Sequence, residues 1–231
     1  MKTHFDPQRH HRRSIRLKGY DYSQAGAYFV TVCTWNRQCL FGKVVDGEMR
    51  LDGPGEIVHQ EWLRTAKMRP GVQLDAFVVM PNHIHGIIII TDDRRGTLQR
   101  APTAQRAPTA QRAPTAQRAP TAEQFGRPTS NSIPTIVRLF KSAVTKRINN
   151  ARGTPGMPVW QRNYYEHVIR NERSLERIRR YIVENPLRWH LDRENPNAIG
   201  ADSEWESWLQ PHVGARCNVP LPEPPECHWG R

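Results

Sequence analysis

Four cysteines in 231 residues are too few for a disulfide framework, and no two have the C-x-x-C spacing of a zinc ribbon. Cys33 and Cys39 fall in the body of the chain and Cys217 and Cys227 in its tail, so reduced thiols and a cytoplasmic location are expected. Long apolar runs are missing too. The longest, near Gly86–Ile90, is far too short to span a bilayer, so no membrane partner is expected. The charged stretch Met1–Lys18 has no apolar segment behind it, which speaks against a secretory signal. Acid is scarce: 22 Asp+Glu face 34 Lys+Arg, a formal charge of +12 and a pI near 10.1. The shortage is confined to the first 193 residues. From Glu194 onward six acids (Glu194, Asp202, Glu204, Glu206, Glu223, Glu226) outnumber two bases (Arg216, Arg231). A body this basic calls for a polyanionic partner, nucleic acid before a membrane surface. At 37% hydrophobic residues the chain can still bury a core.

The segment Ala101–Ala122 reads APTAQR-APTAQR-APTAQR-APTA. A period of six with so little apolar content cannot stack a solenoid core, and a proline in every unit blocks helix and central strand alike. It reads as a polar loop inserted into a domain. The division expected is a flexible basic arm over 1–18, one domain over 19–193, and a poorly ordered, Pro-rich acidic tail over 194–231. Within the domain, Ala27–Thr34 is a β-branched and aromatic strand with Tyr28, Val30 and Val32 on one face. A small hairpin is expected around Val44–Leu51. Gly55–Lys67 carries a helical stripe at Val58, Trp62 and Ala66. Val72–Met80 reads as a second core strand. After the Pro81-Asn82 turn, His83–Thr91 is apolar on both faces and reads as a central strand. Ser132-Ile133-Pro134 opens a helix to about Asn150 with Ile136, Leu139, Phe140, Val144 and Ile148 inside. A short strand at Tyr165–Ile169 precedes a helix over Leu175–Asn185, capped by Ser174 and stopped by Pro186. The order β-α-β-β-α-β-α predicts an α+β, ferredoxin-like split βαβ: an antiparallel sheet with helices on one face, plus an added C-terminal helix.

His83-Ile84-His85 carries the most chemical information. Side chains at i and i+2 of a strand share a face, so both imidazoles can converge on one metal while Ile84 points into core. The plainer reading is two polar residues on an exposed strand face. Tyr181 and Asn185 stand four apart at the end of the last helix, one turn above each other. Beside them Leu175, Ile178 and Ile182 form the stripe that docks this helix on the sheet. Taken alone, Tyr181 reads as core packing and Asn185 as a C-terminal cap.

Together, P-N-H-I-H-G at 81–86, W-Q-R-N-Y-Y-E-H-V-I-R-N-E at 160–172 and Y-I-V-E-N-P at 181–186 resemble the REP-associated tyrosine transposases, which belong to the single-tyrosine HUH transposases. The resemblance runs from about Arg13 to Trp189, interrupted by the repeat. It implies that His83 and His85 bind a divalent cation, Mg²⁺ or Mn²⁺, and that Asn185 completes the metal site. It implies Tyr181 as the nucleophile, attacking a phosphodiester to leave a 5′-phosphotyrosine and a free 3′-OH. The chemistry is coherent. A cation touching a non-bridging oxygen offsets charge developing on the phosphoryl group, mixed N/O ligands suit Mn²⁺, and ester exchange needs no nucleotide cofactor.

The implied partner is single-stranded or hairpin DNA, handled by a monomer or homodimer. Arg12, Arg13, Arg16 and Lys18 read as an arm on the phosphate backbone, and the resemblance implies that the arm helps read a tetranucleotide beside a palindromic hairpin. Arg162, Arg170, Arg177 and Arg180 surround the tyrosine helix, with Arg173 and Arg179, and suit a phosphate-rich ligand. Tyr164 and Tyr165 read as strand residues that pack or stack on bases rather than as a second nucleophile pair, and Trp160 offers further stacking surface. The function expected is a metal-dependent single-strand DNA endonuclease and strand transferase. The alternative from another class is a non-catalytic ferredoxin-like nucleic-acid-binding module. Such a module needs exposed aromatics on its strands, for which Tyr28, Phe29 and Phe77 are the candidates.

Overall fold

The computed structural model describes residues 20–91, 129, 131–200 and 202; the basic arm, the hexapeptide repeat and most of the acidic tail lie outside the described residues. The described elements are, in chain order, β1 (Gly26–Cys33), β2 (Gly42–Val45), β3 (Glu48–Leu51), α1 (Gly53–Lys67), β4 (Val72–Val79), β5 (His83–Ile90), α2 (Ile133–Arg152), β6 (Tyr165–Ile169) and α3 (Glu172–Glu184). One sheet has the order β4-β5-β1-β6, with every neighbouring pair antiparallel. Without the small β2–β3 hairpin, this is the split βαβ order expected from the sequence. That hairpin turns at Asp46-Gly47, both at positive φ (53° and 76°), the geometry that matches strand twist in a two-residue loop.

The sheet buries both faces. On one side Tyr28, Val30 and Val32 of β1 and Ile84 and Ile88 of β5 pack with Val58 and Trp62 of α1 and with Ile136, Phe140, Val144 and Ile148 of α2. On the other, Phe29, Ile87 and Ile169 pack with Ile178 and Ile182 of α3, and Leu175 joins at the edge. Helices α1 and α2 therefore cover one face, and the added helix covers the opposite one. Between two covered faces β5 is buried along nearly its whole length, and beyond its two histidines it is apolar. A close approach fixes its contact with α1: a Cβ on Gly86 would meet Trp62 Cζ2 at 2.3 Å, so only glycine admits the indole there.

Several local expectations shift. Strand β4 lies at the sheet edge, where its middle residues are only partly covered. Thr65, not Ala66, is the buried residue of the last turn of α1. Leu139 is 46% exposed, because Ile136, Phe140, Val144 and Ile148 at four-residue spacing already fill the inward stripe of α2. Helix α3 begins earlier than expected: Asn171, not Ser174, is its cap, and Asn171 Oδ1 accepts the Ser174 N–H at 2.8 Å. The chain also stays packed past the expected start of the tail. Asp192 and Glu194 are buried, and turns continue to Ile199.

Candidate active site

His83 and His85 project from β5 onto the α3 side, opposite Ile84 as the strand period requires. They are 0% and 3% exposed, which removes the reading of two polar residues on an open strand face. Each ring is held by its second nitrogen. Asn82 spends its Nδ2 on the carbonyls of Arg37 (3.0 Å) and Glu194 (2.6 Å), which leaves Oδ1 to accept from His83 Nδ1 at 2.9 Å. Neutral His83 therefore keeps a lone pair on Nε2. His85 Nδ1 meets Thr31 Oγ1 at 2.8 Å across the β1–β5 ladder, where the two residues are register partners. The two Nε2 atoms face each other at 3.0 Å. Fixed outer nitrogens and convergent inner ones are the arrangement of ligating histidines.

Helix α3 lays its last two turns over this pair. Tyr181 Oη is 3.1 Å from His85 Nε2, with the Tyr181 ring edge-on to Phe29. One turn on, Asn185 is buried and its Nδ2 donates to Asp192 Oδ2 at 3.0 Å. Its Oδ1 is buried and has no hydrogen-bond partner among the described residues. Asp192 Oδ2 lies 3.8 Å from His83 Nε2. It arrives there because the chain leaves α3, turns through residues 185–188 and winds into a short 3₁₀ segment, Trp189–Leu191. Glu194 closes the edge, with Arg37 at 3.3 Å and Arg193 at 3.2 Å.

Electrostatics favour neutral rings and a protonated phenol. Burial pushes the pKa of His83 down, against the pull of Asp192 and Glu194. His85 is pushed well below its ordinary value by burial and by its neighbour His83. Burial, reinforced by the charge of Asp192, pushes Tyr181 well above the ordinary phenol value. Two Nε2 atoms, each able to offer a lone pair when its Nδ1 carries the proton, an unpartnered amide oxygen and a carboxylate are a donor set that fits a divalent cation.

The structure brings together His83, His85, Tyr181 and Asn185, all singled out in the sequence. Motif reading missed Thr31, Asn82 and Asp192. The Asn of P-N-H-I-H was legible only as a turn, and Asp192 carries no spacing signal at all. Arg162, Arg170 and Arg177 are exposed, and Arg180 is exposed with an ion pair to Glu184 at 2.7 Å. Arg12, Arg13, Arg16 and Lys18 lie outside the described residues. Arg179 leaves the set of phosphate-facing bases, because its Nη2 is 2.7 Å from Asp75 Oδ2 and its Nε also bonds that carboxylate. Trp160 offers no stacking surface. It is 6% exposed and packs on Phe41 and Phe140. Tyr164 packs on the α1/α2 side and bonds Glu166 Oε2 at 2.6 Å, while Tyr165 packs on the α3 side. Tyr28 and Phe29 are buried and Phe77 is packed on Trp62, so among the described residues no strand presents an open aromatic platform.

No family model matches the chain. An uncharacterized protein of Haemophilus influenzae is 41% identical over 193 residues, which cover 84% of this chain and 98% of that protein, and the chain belongs to its family. Among solved structures, a REP-associated tyrosine transposase bound to a REP hairpin aligns with a TM-score of 0.44 at 17% identity, covering 77% of this chain and 74% of that one. A Deinococcus radiodurans protein described as a candidate transposase aligns with a TM-score of 0.34 at 19% identity, covering 74% and 98%. Among the described residues no helix is long and apolar enough to cross a membrane.

Proposed function

We propose that this protein is a tyrosine transposase of the REP-associated kind, a metal-dependent endonuclease and strand transferase acting on single-stranded or hairpin DNA. The observation that carries the reading is the placement of Tyr181 Oη 3.1 Å from His85 Nε2, itself 3.0 Å from His83 Nε2. A non-catalytic binding module has no use for a buried imidazole pair facing a phenol on another element.

His83 and His85 would hold the divalent cation, Mg²⁺ or Mn²⁺, with Asn185 Oδ1 as a further donor. When bound, the cation supplies Lewis-acid stabilisation of charge on the phosphoryl oxygens. The protein's own part is positional. Ile178 and Ile182 anchor α3 on the sheet and hold Tyr181 over the histidines. Tyr181 Oη attacks phosphorus, the Oη–P bond forms and the P–O3′ bond breaks. The phenol gives up its proton as the departing O3′ takes one up. The products are a 5′-phosphotyrosyl enzyme and a free 3′-OH, and because one ester replaces another, resealing needs no nucleotide. Exposed Arg170, Arg177 and Arg180 on and beside α3, with Arg162 and the Arg12–Lys18 arm, would take the DNA backbone.

A labelled hairpin oligonucleotide incubated with the protein and Mn²⁺ or Mg²⁺ tests this. A covalent protein–DNA adduct that resists denaturation is expected. Tight hairpin binding with no adduct under any divalent cation would instead establish the binding-module reading.

A further inference from the structure

The turn that follows α3 brings into the site a carboxylate that none of the sequence motifs contains. Asp192 is 8% exposed, and among the described residues no lysine or arginine lies within ion-pair distance of it, although the Arg193 charge acts on it from farther off. A buried carboxylate without a cationic partner is costly unless something positive is meant to sit beside it. Its two oxygens are oriented from outside. Oδ1 accepts the backbone N–H of Glu194 at 2.7 Å, and Oδ2 accepts from Asn185 Nδ2 at 3.0 Å. What Oδ2 faces in the remaining direction is His83 Nε2, at 3.8 Å. His83, His85 and Asp192 each offer one ligand atom, and these lie within 4.8 Å of one another.

We propose that Asp192 is an anionic ligand of the cation held by His83 and His85, and that Asn185 positions it; the inference rests on the metal-dependent reading above. Two neutral imidazoles and an amide oxygen bring no negative charge to a buried divalent ion, and Asp192 supplies it. Asn185 then acts at both ends, with Oδ1 toward the ion and its N–H₂ holding the carboxylate in place, the usual outer support of a ligating group. Two imidazoles with a carboxylate form a set of borderline ligands, better matched to Mn²⁺ than to Mg²⁺, which prefers all-oxygen shells and keeps its waters. The segment beyond the tyrosine helix is in this view part of the metal site and not a trailing linker.

The test is binding of Mn²⁺ alone to the full chain, with free ion followed by its electron paramagnetic resonance signal, at physiological ionic strength. Wild type is expected to bind Mn²⁺ with little displacement by equimolar Mg²⁺. His83→Ala should abolish binding, and Asp192→Asn, which is isosteric, removes the negative charge and keeps one acceptor oxygen for the Glu194 N–H, should weaken it at least about tenfold. Wild-type affinity in Asp192→Asn alongside loss in His83→Ala would overturn the role of Asp192 and leave the proposed function standing. Absence of Mn²⁺ binding by wild type would overturn both. If Asp192→Asn is recovered unfolded, infrared difference spectra of wild type labelled with ¹³C-aspartate decide the matter. A carboxylate shift on adding Mn²⁺ that is missing in His83→Ala supports the ligand, and no shift in wild type overturns it.

Discussion

Tyr181 and His85, 96 residues apart in the chain, meet at 3.1 Å between Oη and Nε2. The contact crosses from α3 to the central strand, so it exists only when the helix is docked on the sheet. The candidate nucleophile and the candidate metal site are thereby made one unit by tertiary packing.

The nucleophile is tested by Tyr181→Phe. The change removes the hydroxyl with its contact to His85 and leaves the ring edge-on to Phe29, so the stability loss should be about 1 kcal/mol. The covalent DNA adduct should vanish, while hairpin binding stays near that of wild type. Peptide mapping of the wild-type adduct checks the site; DNA attached at Tyr164 or Tyr165 would move the chemistry to β6.

The histidines are tested one at a time. His83→Ala and His85→Ala should each abolish cation-dependent cleavage, because each removes one of the two convergent Nε2 atoms. Affinity for the hairpin should change only a few-fold, since both rings are buried beneath α3. Undiminished cleavage by both single variants would sink the metal-dependent reading.

A third expectation concerns acid. The β4 bulge between Leu74 and Phe77 presents Asp75 to Arg179, which grips the carboxylate with Nε and Nη2. The Arg179 hydrogen bonds hold the Asp75 carboxyl below its ordinary value. A carboxyl depressed in the folded state contributes stability above its unfolded pKa of about 3.9 and loses it as pH falls through the lower folded value. Arg179 is about a third exposed, which limits the pair to about 1 kcal/mol. Asp75→Asn should therefore unfold at lower urea than wild type at pH 7, with the gap closing towards pH 3. A gap independent of pH would mean that the pair is not what ties α3 to the sheet edge.

Gly86 gives a packing test between the central strand and α1. Alanine there would drive its Cβ into the Trp62 indole, and overpacking of this kind costs about 1–3 kcal/mol. A lower thermal midpoint for Gly86→Ala is expected, partly restored by Trp62→Phe in the double variant. An unchanged midpoint would show that α1 can slide away without cost.

Periodicity alone determined the strands, the helices and their order, because apolar alternation and four-residue stripes are local consequences of backbone geometry. The shared face of His83 and His85 and the shared face of Tyr181 and Asn185 follow from the same two periods. What the periods could not decide is which face of the sheet each helix covers. Leu175, Ile178 and Ile182 specify a helix that must dock, and only the competition for space, with α1 and α2 already filling one face, sends α3 to the other. Trp160 looked like a ligand-facing aromatic among basic residues, but a bridge from Thr34 to Trp160 turns it inward against Phe41. Asp192 was invisible for a similar reason. One acid after a helix has no spacing to mark it, and the 3₁₀ turn of Trp189–Leu191 that swings it against Asn185 forms only against a completed helix and strand. Local pattern thus determined the elements and the paired residues on them, while long-range packing, which no local period encodes, decided which pairs would face each other.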